Sequence, residues 1–302
     1  MNIRIRRTDN EEELLACARL FTENYPWKGL DETFEYNNAK VHSPDEEVYV
    51  ALDGDKVVGC LLLEMHSTLK AFVRGLVVDE DYRCHKIGAK LLAFIEKRTF
   101  HETENVFMYC SSERGIKFYK ANGYTPIGVV ENLNITGSNE TILRKTIGPA
   151  HEVKRKGILL SVIDSDAGTF EEAVRNAGEY LYSMGLVRKE YGYKCLEREK
   201  IFPTGLPVKY PVAIPHTDSE HCLKNAICFQ RLKAPVTVRQ MTGQGELESR
   251  LIINLAISEP DDQVKVLSRL MDLLQDEEFV KNCLEEEAGQ LEKAIEDRLL
   301  EN

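Results

Sequence analysis

Two stretches of this 302-residue chain place reactive residue types at spacings that could do chemistry. In the first, Phe72-Val73-Arg74-Gly75-Leu76-Val77-Val78 reads as a strand. After Asp79–Tyr82 comes Arg83-Cys84-His85-Lys86-Ile87-Gly88-Ala89, a turn that opens the amphipathic helix Ile87–Thr99. A helix start leaves backbone N–H groups unpaired under the positive end of the helix dipole, so such a turn suits a pyrophosphate. Arg83 and Lys86 add charge, and Gly88 permits close backbone approach. In the second stretch, Val212-Ala213-Ile214-Pro215 leads into His216-Thr217-Asp218. Pro215 stiffens the backbone before the histidine. Thr217 with Glu220 spells a capping box, which predicts a helix directly after His216. A histidine of ordinary pKa is largely neutral at cytoplasmic pH, the form in which a ring nitrogen is a nucleophile.

The elements that must position these residues alternate in type. Ile3–Arg7 is expected as a strand, and Asn10–Asn24 has helical spacing in Leu14, Ala18 and Phe21. Val48–Leu52 and Val57–Met65 form a hairpin around Asp53-Gly54-Asp55. Strand Asn105–Cys110, short helix Gly115–Ala121, and strands Ile127–Val130 and Thr141–Arg144 complete the first half. Gly148-Pro149-Ala150 and the charged run His151–Lys156 mark a boundary. Beyond it, strand Ile158–Val162 precedes the helix Phe170–Met184 and a Gly/Pro-rich stretch, Phe202–Pro215. Short strands Ala226–Phe229 and Leu251–Leu255 follow, and Asp261–Leu300 is expected to hold two acidic amphipathic helices. The fold class is α/β with two domains.

The first stretch, taken with Phe118-Tyr119-Lys120-Ala121-Asn122-Gly123-Tyr124 one strand later, resembles the GNAT acetyltransferase superfamily. That family's motifs are R-x-x-G-x-G/A and F-Y-x-x-x-G-F/Y, and the resemblance covers roughly residues 1–147. It implies a mixed β-sheet with helices and acetyl-CoA as cofactor. By position, Arg83, Cys84, His85, Lys86, Ile87, Gly88 and Ala89 would cradle the CoA pyrophosphate. Val77 and Val78 would pair with the pantetheine arm, and Tyr119 would protonate the departing thiolate. Lys86 stands where the family has the first glycine of its loop, and Ser112 where it often has asparagine. The resemblance implies an amine acceptor but names neither it nor the base. Asp79 and Glu80 lie where acidic residues more often stabilise the helix dipole, and Glu64 is a weaker candidate for contacting an amine.

The second stretch, with Arg198-Glu199 and Thr204-Gly205 upstream, resembles the type-2 enzyme IIA family of the sugar phosphotransferase system. That family's motifs are R-E-x-x-x-x-T-G followed by A-I-P-H. The spelling F-P-T-G-L-P with P-H-T-D leans towards the galactitol or fructose branch, and the resemblance covers roughly residues 157–302. It implies that His216 is phosphorylated, that Arg198 and the expected helix N-terminus stabilise the phosphoryl group, and that Thr204 and Gly205 form the facing loop. His221 reads as a solvent-facing histidine. Where many relatives carry a second active-site histidine, this sequence has Gln263.

The resemblances together imply domains at 1–148 and 157–302 with a linker at 149–156. The whole would be a bifunctional transferase whose carrier half passes phosphoryl from HPr to a sugar-specific enzyme IIB. A second reading is a regulatory sensor, in which the carrier half gates the acetyltransferase or docks on a regulator, and a third is a first half that has lost catalysis and only binds. Residues 1–150 have a net charge of −4 and residues 151–302 of −7, so neither half has the basic surface that nucleic acid requires. No apolar run approaches the ~20 residues of a membrane span, and no apolar signal core opens the chain, so the expected location is the cytoplasm. Eight cysteines without a C-x-x-C pair are expected as buried thiols in a reducing compartment. Seven histidines without zinc-type spacing give no reason to expect a metal.

Overall fold

The computed structural model describes residues 3–30, 32–67, 70–133, 138–147 and 157–300, apart from the side chains of 260–263 and 300. Contacts divide the chain into two compact units, Met1–Arg155 and Lys156–Asn302. The expected linker at 149–156 lies outside the described residues. No helix among the described residues is long and apolar enough to cross a membrane.

The first unit runs β1 (Ile3–Thr8), α1 (Glu11–Glu23), α2 (Phe34–Val41), β2 (Glu46–Asp53), β3 (Lys56–Ser67), β4 (Lys70–Val78) and α3 (Ile87–Thr99). It continues with β5 (Asn105–Cys110), α4 (Glu113–Ala121), β6 (Thr125–Glu131) and β7 (Asn139–Thr146). Its seven strands lie in the order β1-β2-β3-β4-β5-β7-β6, all pairs antiparallel except β4 with β5. The side-chain alternation of the strands sorts the core into two layers. Val48, Val50, Cys60 and Leu62 pack with Leu14, Cys17, Ala18 and Phe21 of α1. Tyr49, Ala51, Leu61 and Leu63 pack with Ile87, Leu91 and Ile95 of α3 on the opposite face. Asn10 caps α1 by accepting from the Glu13 N–H, and the expected hairpin turns at Gly54, whose φ is +60°. Helix α2 was not legible; Thr33 caps it, and only Asn37 and Val41 are buried on it.

The second unit runs β8 (Leu159–Ser165), α5 (Phe170–Ser183), α6 (Tyr191–Ile201), β9 (Gly205–Leu206), β10 (Val212–Ala213), β11 (Ala226–Arg239) and β12 (Glu246–Ala256). Three helices close it: α7 (Pro260–Leu273), α8 (Glu277–Glu285) and α9 (Ala288–Leu300). The five-stranded sheet has the order β8-β11-β12-β10-β9. Val162, Ile227, Phe229, Ile253 and Leu255 form one core with Leu270, Phe279, Cys283, Leu291 and Ile295 of the last three helices. Helices α5 and α6 meet at a glycine pair, where a Cβ built on Gly178 would come within 2.9 Å of the Gly192 Cα.

Two expectations fail here. Strands β11 and β12 are far longer than the short runs expected, because β11 carries Pro235 through a register shift between Arg231 and Val236. The segment from Asp261 holds three helices rather than two. Asp276 starts a new one by accepting from the N–H groups of Glu278 and Phe279.

Candidate functional site

In the second unit, His216 continues the line of β10 and bridges to Leu255 in parallel, with the Leu255 N–H donating to the Pro215 carbonyl at 3.1 Å. The Tyr191 hydroxyl donates to the Leu255 carbonyl at 2.9 Å, so the strand behind the histidine is held from α6. His216 is 9% exposed, and its Nδ1 lies 2.8 Å from the Ile214 carbonyl. A carbonyl only accepts, so Nδ1 carries the proton and Nε2 keeps its lone pair. Burial holds the imidazole pKa below its ordinary value. The Ile214 carbonyl opposes that shift, the Arg198 cation adds to it, and Asp218 opposes it.

The expected helix after His216 does not form. The chain makes a single 3₁₀ turn, Ser219–His221, whose N-cap position is Asp218 rather than Thr217 and carries no side-chain cap. The positive environment therefore comes from α6, whose last turn carries Arg198. The Arg198 guanidinium lies 5.5 Å from the centroid of the Phe202 ring and makes no ion pair among the described residues.

Glu199, next to it, is the residue that sequence reasoning missed. It is 7% exposed and accepts from both the N–H and the hydroxyl of Thr204, each at 2.8 Å. The Thr204 carbonyl in turn accepts from the Ile214 N–H at 3.3 Å. A continuous path thus links Glu199 to Thr204, Ile214 and His216. The signal was present in the Arg-Glu spelling, where a carboxylate follows the cation into a helix end.

At Gly205 the backbone of β11 comes so close that a Cβ would collide with the Arg239 carbonyl. His221 is not solvent-facing. Its side chain is 12% exposed, with Glu190 on Nδ1 and Glu220 on Nε2, both at 3.3 Å. The side chain of Gln263 lies outside the described residues.

In the first unit, β4 and β5 pair only at Ala71↔Val106 and Phe72↔Phe107, then part. Val77 and Val78 therefore lie on a stretch of β4 that has no partner on the β5 side among the described residues, Val77 buried and Val78 half-buried. The turn into α3 bends through two left-handed residues, Cys84 (φ +66°) and Lys86 (φ +61°). His85 sits between them, its Nδ1 2.9 Å from the Arg83 carbonyl. Lys86 precedes α3 without a side-chain cap, and Lys90 is the first residue to bond back to it. The N–H groups of Ile87, Gly88 and Ala89 thus form the open first turn.

Arg83 is turned inward. It donates to the carbonyls of Val78 at 3.2 Å and Tyr25 at 2.6 Å, and pairs with Glu80 at 3.3 Å. Gly88 lies against Phe118, whose ring would be 3.2 Å from a Cβ. Asp79 pairs with Lys56, and Glu80 accepts from the Tyr25 N–H, so both acids hold the turn. Ser112 caps α4 through the Gly115 N–H.

Tyr119 is half-buried between the rings of Phe118 and Tyr124, at 5.2 and 5.9 Å. Burial, with Cys110 beside it, raises its phenol pKa, so it stays protonated and able to donate. Glu64 lies 3.0 Å from His66 and 3.4 Å from Arg74. Of the eight cysteines, all free thiols, only Cys84 is exposed and Cys110 half-buried.

Comparison with known proteins gives two families. Residues 14–124 match the acetyltransferase (GNAT) family, and residues 159–297 match the phosphoenolpyruvate-dependent sugar phosphotransferase system, EIIA 2. The galactitol-specific EIIA component of Escherichia coli K12 is 27% identical over 114 residues, covering 37% of this chain and 76% of that protein. The mannitol-specific EIICBA component of the same strain is 34% identical over 118 residues, 38% of this chain but 18% of that protein. Among solved structures, the ribosomal-protein-S18-alanine N-acetyltransferase from Escherichia coli aligns with a TM-score of 0.44 at 14% identity, covering 51% of this chain and 99% of that one. An aminoglycoside 6'-N-acetyltransferase complexed with coenzyme A aligns at 0.42 and 19%, covering 49% and 98%. The chain therefore joins a GNAT-family acetyltransferase region to an EIIA type-2 region of the sugar phosphotransferase system.

Proposed function

We propose that this protein is a phosphohistidine carrier fused to an acetyl-CoA-dependent N-acetyltransferase, with functional domains at 157–302 and 1–148 joined through 149–156. The observation that carries the first half is the His216 Nδ1 contact with the Ile214 carbonyl. It fixes the proton on Nδ1, so Nε2 attacks the phosphorus of phospho-HPr. The N–P bond to the carrier breaks as the Nε2–P bond forms, and a IIB protein of the galactitol or fructose type takes the group in a second displacement. Arg198 meets the charge on the transferring oxygens.

In the other half, the open first turn of α3 at Ile87–Ala89 faces the CoA pyrophosphate, with Lys86 supplying charge. Arg83, spent on Val78 and Tyr25, shapes that turn. The bare edge of β4 at Val77–Val78 receives the pantetheine arm. A neutral amine nitrogen bonds to the thioester carbonyl carbon, the C–S bond breaks, Tyr119 protonates the thiolate, and the proton lost from the nitrogen returns to Tyr119. The cytoplasm, where both donors would meet the chain, is the proposed compartment.

The test combines enzyme I, HPr and labelled phosphoenolpyruvate with the wild type and with His216→Ala, followed by transfer to IIB. Label on the wild type and none on the variant is the expected result. Equal labelling would refute the carrier. Acetyl-CoA titrated into the full chain tests the second half, with micromolar binding expected and no heat of binding counting against it.

A further inference from the structure

A row of side chains crosses the first unit's sheet where β4 and β5 part. Register places Glu46 opposite Glu64, Glu64 opposite Phe72, and Phe72 opposite Phe107. The Glu46 side chain is 8% exposed, and its Oε2 has no hydrogen-bond partner among the described residues. Its Oε1 reaches only the Nε of Arg74, at 3.7 Å, and Glu64 shares that nitrogen at 3.4 Å. Both separations exceed the roughly 2.7–2.9 Å of a hydrogen-bonded ion pair. Glu32 Oε2 is likewise buried without a partner. Lys40 feels both Glu32 and Glu46, but its ammonium lies over the Trp27 ring at 4.5 Å. Arg74 and His66 both attend Glu64, so two buried carboxylate oxygens still lack donors, which is costly. An alkylammonium supplies both deficits at once, with one positive charge and three N–H groups.

We propose that this row seats the acetyl acceptor and that the acceptor is a polyamine. One ammonium is held at Glu46 Oε2 while a second amine of the same molecule reaches the opening between β4 and β5. The inference rests on the acetyltransferase reading of this unit. Glu46 stands two strands from β4, roughly 10 Å at about 4.8 Å per strand, so several methylenes separate the two nitrogens. Phe72, stacked on Phe107 at 5.4 Å and on Tyr109 at 5.9 Å, offers the methylenes an apolar floor. Arg74, half-exposed, covers the carboxylates until the amine enters.

In the reaction, the neutral amine nitrogen bonds to the acetyl carbonyl carbon and the C–S bond breaks. The thiolate takes a proton from Tyr119, which regains one from the nitrogen. The distal ammonium keeps its protons throughout. Burial raises the Glu46 pKa to about 7. Arg74 and Lys40 pull it down, while Glu64 and Asp45 push it up. Binding needs the carboxylate, so affinity rises with pH through neutrality.

Calorimetry on the full chain, with spermidine and n-butylamine at pH 6 and 8, tests this. Spermidine should bind the wild type at pH 8 at least tenfold tighter than butylamine, and about tenfold tighter than spermidine does at pH 6. Glu46→Gln should erase both differences. Glu32→Gln, a second variant that guards against misfolding of the first, should weaken spermidine several-fold. Spermidine no tighter than butylamine, or Glu46→Gln with wild-type affinity, overturns the proposal. Titration with acetyl-CoA separates the two readings. If acetyl-CoA binds but spermidine shows no preference, only the polyamine inference fails. If spermidine is preferred but acetyl-CoA does not bind, the amine site is supported and the acetyltransferase reading fails.

Discussion

His216 donates its Nδ1 proton to the carbonyl of Ile214, two residues back in the same chain, at 2.8 Å. The ring is thereby locked by its own backbone, with Nε2 as the one nitrogen left to react. Labelled phosphoryl should therefore reside on His216 Nε2, be acid-labile, and be absent from His216→Ala and from His221. Nitrogen NMR of the phosphorylated chain checks the position. Because the folded pKa is depressed, the nucleophilic neutral form persists below the ordinary histidine value. Single-turnover transfer should stay flat from pH 8 to about 6.5 and fall only at lower pH; a break above 6.5 contradicts the site.

Arg198→Ala should slow phosphoryl transfer by roughly 10²–10³, the cost of one donor in a preorganised site, with the melting temperature nearly unchanged. The guanidinium lies over the Phe202 ring and makes no ion pair among the described residues. Normal transfer rates would make Arg198 a packing residue.

Lys86 holds a left-handed backbone at φ +61°, a region that costs a side-chain-bearing residue about 1–2 kcal/mol. Glycine removes that strain but adds freedom to the unfolded chain. Lys86→Gly should thus stabilise the protein by about 0.5–1 kcal/mol while acetyl-CoA binding weakens through the lost charge. Denaturant unfolding and calorimetry read the two effects separately. A less stable variant would contradict the strain argument.

Tyr119→Phe should lower acetyl turnover and leave acetyl-CoA affinity nearly unchanged, because a proton given to the leaving thiolate matters only in the transition state. The effect belongs at the low end of the roughly 10²–10⁴-fold range for general acids, since a thiolate leaves readily. Weakened affinity with unchanged kcat would instead make the tyrosine a contact residue.

The sequence was most legible where a local rule acts alone. Helix α3 and strand β5 begin and end at the expected residues, and Gly54 turns the hairpin where its spelling required. It misled where tertiary contacts overrode a local signal. Thr217 and Glu220 have the spacing of a capping box, yet the chain leaves for β11 after one 3₁₀ turn and no helix forms. Arg83 has the charge to meet a phosphate, yet two carbonyls claim it, one of them 58 residues away at Tyr25. Glu46 shows nothing in its own neighbourhood of sequence. Its isolation follows from the β2–β3 and β3–β4 registers, which bring it into line with Glu64 and Phe72.

The crossing of α5 and α6 at Gly178 and Gly192 has a consequence for how this unit can evolve. Helix α6 carries Tyr191, Arg198 and Glu199, so a contact between two residues without side chains sets the depth at which all three sit. A single methyl at Gly178 would press on the Gly192 backbone and lift the helix as a rigid lever, with the guanidinium at its far end. A change twenty residues from Arg198, at a position with no functional group of its own, would therefore move the guanidinium.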